Sequence, residues 1–413
     1  MTMVSVTDAG LPQTARAPVS TPGARVRDPR LDFYRGIAMF IILFAHTPGN
    51  FFTSWIPARW GFSDATEMFV FCSGMASAIA FGGSFDRFGW AMGTARVGYR
   101  VWQVYWAHIG MFVIIATMLA GIDLAQVSDT VYIGTLNLWR FFSDPGPQLV
   151  GLLTLTYVPN YFDILPMYMV ILIMLPLVMA LARINLWLLA AASVTVWVFA
   201  QNALLEAFGL GHLHLSFPAE PWSERQWFFN PFGWQLLFFS GFAFMRGWIP
   251  APPLSRWLIT LAVVIVLANV PLSNIGVREF GFDWARDWRI GNRGWINKSD
   301  FGILRYVQFL ALAYLGYAVA GDGGRNLIVT GTHALARIWA TIIRLTTKVG
   351  QQSLAVFLFS MVLARIIGFS LDQVGRDTLT VTLANLIGIG LLICVAHAVA
   401  WFKGQPWRGR PAR

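Results

Sequence analysis

Apolar blocks of about twenty residues recur from residue 36 to residue 402 without a long polar interruption, and this recurrence limits the possible folds more than any motif does. Each block matches the length of a helix that crosses the hydrocarbon of a bilayer, where backbone amides must find their partners within the segment. The candidate crossings fall at 36–55, 66–83, 101–121, 164–182, 185–205, 232–249, 255–272, 303–320, 351–370 and 379–402. They are too long and too continuously apolar to be barrel strands. The expected fold class is therefore all-α, a polytopic bundle of ten transmembrane helices forming one domain over 31–402. Composition agrees: 12% of residues are charged and 56% hydrophobic, and the 19 Trp and 33 Phe suit packing against lipid and anchoring at its interface.

A net charge of +10 raises the question of nucleic acid, and the placement of the basic residues answers it. With a cytoplasmic amino terminus, nineteen of the thirty Lys and Arg fall in inside segments, nine fall outside, and Arg305 and Arg365 lie within apolar blocks. That asymmetry puts both termini in the cytoplasm and assigns the basic surplus to topology, so no nucleic-acid partner is expected. Residues 1–30 lack the apolar core of a signal peptide and read as a disordered tail, and 403–413 as a second, basic one. Cys72 and Cys394 sit in apolar blocks, where a thiol acts as a small hydrophobe, and no zinc-ligand spacing or phosphate-binding glycine loop is present.

The ionisable residues within the blocks carry the functional signal. Arg35 and His46 lie eleven residues apart, which on a helix puts them on one face about 16 Å apart along the axis. A histidine at membrane depth is costly unless it faces a polar cavity, so it is a candidate site residue. Asp64 and Glu67, one turn apart, open the second helix; Asp64 can cap it, while Glu67 abuts the apolar run. Arg96 and Arg100 share a face at the start of the third helix, an arrangement suited to phosphate, with His108 about two turns further in. Long outside stretches at 122–163, 206–231 and 273–302 offer room for a hydrophilic acceptor, with Asp163, Lys298 and Asp300 as candidate contacts.

Leu31-Asp-Phe-Tyr-Arg-Gly-Ile-Ala38, followed by His46, resembles the first-helix signature of the acyltransferase-3 membrane enzymes. The stretch from Glu67 to Gly74 is similar to their acidic, Phe-rich segment ending in Ser-Gly. RDPRLDFYRGIAMFIILFAHTPGN, GFSDATEMFVFCSG, DILPMYMVILIMLPL, FNPFGWQLLFFSG, KSDFGILRYVQFLALAYL and QQSLAVF, in that order, resemble the OpgC family of succinyltransferases for osmoregulated periplasmic glucans. Cys72, where an aliphatic residue is usual, and Trp60, where Asn is more usual, depart from the pattern.

The resemblance implies an inner-membrane acyltransferase that binds no cofactor, takes acyl-CoA (succinyl-CoA) as cytoplasmic co-substrate and acylates a periplasmic glucan. On this reading Arg35, Arg96 and Arg100 hold the CoA phosphates. His46, oriented by Glu67 or Asp64, is the general base, with an acyl-histidine intermediate as the variant. Asp163, Lys298 and Asp300 orient the acceptor, or Lys298 holds the free carboxylate of a succinyl donor. The competing expectations are a transporter or flippase for a glycan-related substrate, an acetyltransferase for another surface glycan, and a scaffold.

Overall fold

The computed structural model describes residues 28–408. The tail expected at 1–30 lies outside the described residues as far as residue 27, and the basic tail does so from 409. Every regular element among the described residues is helical. The long helices are α1 (Pro29–His46), α2 (Ala65–Ser77), α3 (Gly83–Leu124), α4 (Ile164–Ile184), α5 (Leu186–Phe199), α6 (Pro231–Arg246), α7 (Arg256–Asn269), α8 (Ile303–Ala320), α9 (Ala334–Gln351), α10 (Ser353–Val374) and α11 (Thr378–Lys403). A π-helical turn, Ala78–Gly82, joins α2 to α3, which kinks at Gly89 where φ is +78°. Among the described residues six stretches are long and apolar enough to cross a membrane: Ala65–Leu124, Ile164–Ile184, Arg256–Arg278, Ile303–Ala320, Ser353–Val374 and Thr378–Arg408.

Two expectations shift. The first helix runs from 29 to 46 rather than from 36 to 55. The Asp28 side chain caps its start, and Pro48, which cannot continue a helix, follows its end. Residues 334–351, read as an inside connection, form α9. Its apolar residues Leu335, Ile338, Ile342 and Val349 recur on one face, while Arg337, Arg344 and Lys348 break up any continuous apolar run.

Packing is set where backbones touch. α1 packs on α9, α2 and α10, and α2 lies along α6. At the α2–α6 crossing a Cβ on Gly74 would stand 1.9 Å from the Phe238 carbonyl oxygen and one on Gly241 2.2 Å from that of Phe71. At the α1–α9 crossing the same holds for Gly36 against Thr346 (2.0 Å) and Gly350 against Asp32 (1.8 Å). Both contacts are reciprocal, glycine meeting carbonyl in each direction, as expected of helices whose association rests on close backbone approach. Trp234, Phe112, Phe238 and Phe357 fill the core beside them, all under 2% exposed.

Candidate active site

The start of α2 is fixed by its own sequence. Asp64 accepts the Thr66 N–H at 2.6 Å, and Glu67 reaches back to accept the Asp64 N–H at 2.8 Å, the reciprocal bonds of a capping box. Each carboxylate keeps one oxygen for a cation. Glu67 Oε1 takes Arg305 Nε at 2.8 Å and Nη2 at 2.5 Å, and Asp64 Oδ2 takes Lys298 Nζ at 2.5 Å. Arg305 Nη2 is also 3.9 Å from Asp64. Glu67 is fully buried and Arg305 6% exposed, so two acids and two bases cancel in a place where an unpaired charge would be costly.

His46 ends α1 beside this network and is partly exposed. Its Nδ1 lies 2.8 Å from the Ile42 carbonyl oxygen. A carbonyl only accepts, so Nδ1 carries the proton and Nε2 holds the lone pair of a potential base. Lys298, Arg365 and Asp64 lie within electrostatic reach of the ring. Tyr161 meets it edge to face, with centroids 5.3 Å apart, and the Arg365 guanidinium covers the Tyr161 ring at 4.2 Å. Tyr161 adopts φ +89°, an uncommon conformation for a bulky residue, and its hydroxyl donates to the Met361 carbonyl at 2.6 Å. The group that orients His46 is therefore the Ile42 carbonyl, while Asp64 and Glu67 hold Lys298 and Arg305.

Nearly two turns in from its other end, α1 carries Arg35, which pairs with Asp32 at 3.9 Å and hydrogen-bonds Ser353 at the start of α10. The neighbouring Gln352 accepts from Lys403 at 2.7 Å, and Arg100 lies within electrostatic reach of Lys403. Arg100 also donates to Gln103 at 3.1 Å, whereas Arg96 donates to Ser84 at 2.6 Å, back toward the start of α3. The structure thus gathers Arg35, Arg100 and Lys403 around the α9–α10 junction and turns Arg96 aside. His108 is fully buried, and neither ring nitrogen has a hydrogen-bond partner.

The family model described as OpgC protein matches residues 27–404, nearly the whole chain. The chain belongs to the OpgC family. No curated protein and no solved structure matches it. OpgC membership points to an acyltransferase role in glucan modification, and the apolar helices to a multi-pass membrane protein.

Within this OpgC chain, Arg305, Arg365 and Tyr161 join the site without having been singled out in the sequence. The two arginines did carry a signal, since both fall inside apolar blocks, where an ionisable residue is a functional candidate by default. Of the three outside candidates, Lys298 is at the site. Asp300 turns inward, accepting from Asn230 at 3.2 Å and Asn297 at 3.1 Å with His214 Nε2 at 3.4 Å, and so ties the 206–231 and 273–302 stretches together. Asp163 is 3% exposed and accepts the Phe228 N–H at 3.1 Å.

Burial pushes the Asp163 carboxyl up to about 7. A carboxyl whose pKa is raised on folding favours the folded state while protonated, and this support is lost as pH rises toward 7. Asp163→Asn, which cannot ionise, should match the parent melting temperature only near pH 4, where unfolded carboxyls also keep their protons, and exceed it by several degrees at pH 8. Equal differences at the two pH values in detergent melts would refute this.

Proposed function

We propose that this chain is an O-acyltransferase of the inner membrane that moves a succinyl group from cytoplasmic succinyl-CoA to a hydroxyl of a periplasmic glucan. In this reading α1 to α8, α10 and α11 make ten crossings as one domain, both termini are cytoplasmic, and α9 lies against α1 with its basic residues toward the cytoplasm. The observation that carries the proposal is the polarity of α1. Toward one end Arg35 pairs with Asp32 and bonds Ser353, beside the Gln352 that holds Lys403, and at the other a partly exposed His46 has Nδ1 bonded to a carbonyl and Nε2 unprotonated.

The CoA phosphates dock on Arg100, Lys403 and Arg35, and the pantetheine arm extends toward His46 at the far end of α1. His46 Nε2 takes the proton of the glucan hydroxyl as its oxygen attacks the thioester carbonyl. The tetrahedral adduct collapses, the C–S bond breaks, and the CoA thiolate leaves with the proton returned by His46. Lys298, anchored by Asp64, faces the acceptor side, while Glu67 and Arg305 hold the α2 end in place.

The test uses purified protein in sealed proteoliposomes with succinyl-CoA on one side and a neutral glucan on the other. Mass spectrometry should find succinyl ester on the glucan and an equal amount of free CoA. CoA release without ester, or no reaction with either substrate orientation, would defeat the proposal.

A further inference from the structure

Arg365 lies midway along α10, between Ser353, which holds Arg35, and Asp372, which pairs with Arg376 at 2.6 Å. Three other cations at this end of the molecule have anions: Lys298 has Asp64, Arg305 has Glu67 and Arg376 has Asp372. Arg365 has no carboxylate partner among the described residues. Its Nε is buried without a hydrogen bond, and its guanidinium lies on the face of Tyr161. Arg365 is partly exposed, so an anion can reach it, and an aromatic face meets only part of a guanidinium's need for one.

The position of Arg365 limits which anion that can be. CoA phosphates belong at the Arg35 end, about 16 Å away along α1. An oxyanion formed on the thioester carbonyl would sit against His46, whereas the Tyr161 ring stands beside both groups, 5.3 Å from the imidazole and 4.2 Å from the guanidinium. What reaches Arg365 from a carbonyl held at His46 is the far end of a short acyl chain. A terminal carboxylate matches the planar fork of a guanidinium, and Lys298 is already engaged by Asp64.

We propose that Arg365, seated on Tyr161 beside His46, binds the terminal carboxylate of a dicarboxylic acyl group and so selects such donors over monocarboxylic ones. This rests on the acyltransferase reading above and assigns a specificity residue within it.

The experiment compares succinyl-CoA with butyryl-CoA, which has the same chain length but ends in a methyl group, on purified wild type, Arg365→Gln and Arg365→Lys. Arg365→Gln should lower kcat/KM for succinyl-CoA on the order of 100-fold and leave that for butyryl-CoA within about threefold. Arg365→Lys, which keeps the charge without the fork, should reduce the succinyl preference about tenfold and is read alone if the Gln variant does not fold. Equal losses with both donors, or an unchanged preference in either variant, would overturn the assignment and leave the acyltransferase reading standing. No transfer by wild type from either donor would overturn both.

Discussion

His46→Ala is expected to lower succinyl transfer to the glucan by about 10²- to 10⁴-fold, the range for removal of a positioned general base. The fold should survive. His46 is the last residue of α1 and partly exposed, its hydrogen bond is to its own helix, and its ring contact is with one neighbour, Tyr161. Loss of transfer with a melting temperature within a few degrees of the parent therefore separates chemistry from packing. Activity near the parental level would remove the base from the mechanism.

The second large effect is on stability. Glu67→Ala strands the Arg305 guanidinium, 6% exposed, without the carboxylate that receives its Nε and Nη2. Breaking a buried pair on one side costs about 3–5 kcal/mol, a large share of the 5–15 kcal/mol that holds a typical domain folded. The single variant should fail to accumulate in membranes or melt far below the parent. Glu67→Leu combined with Arg305→Leu removes both charges and should recover most of the loss, because well-packed apolar residues can replace such a pair. Arg305 would not be a stranded charge if the double variant were no better than the single one.

The all-helical membrane class was legible because the hydrocarbon layer leaves a sequence little freedom: long apolar blocks can satisfy their amides only as helices. The capping role of Asp64 and the membership of Arg35 and His46 in one helix followed from local spacing, whereas His46 ending that helix did not. α9 escaped because a helix apolar on one face is invisible to a reading that looks for uninterrupted apolar runs. The length of α1 was misjudged because its first turns carry Arg30, Asp32 and Arg35, which an apolar criterion rejects although Asp28 caps them into the helix.

Partners were harder to read than elements. Glu67 meets Arg305 across 238 residues, and Arg35 meets Ser353 across 318, so no local pattern could join them. The acid expected to orient His46 is replaced by a backbone carbonyl, a group every residue possesses and no sequence can single out. Asp163 and Asp300, expected to contact an acceptor, are buried, because the stretches around 206–231 and 273–302 fold back and offer them Phe228, Asn230 and Asn297.

The two glycine-to-carbonyl crossings bear on how material moves through this molecule. α1 and α2, which carry His46 and the acidic pair, are each keyed to a neighbour at points with no room for a methyl group, so advancing either helix by one residue would drive a side chain into a carbonyl. A carrier that alternates its exposure must slide or rock such walls on every cycle. The proposed transfer asks for no such movement: the two reactants would come in by opposite doors, and a bulky polymer need never cross at all.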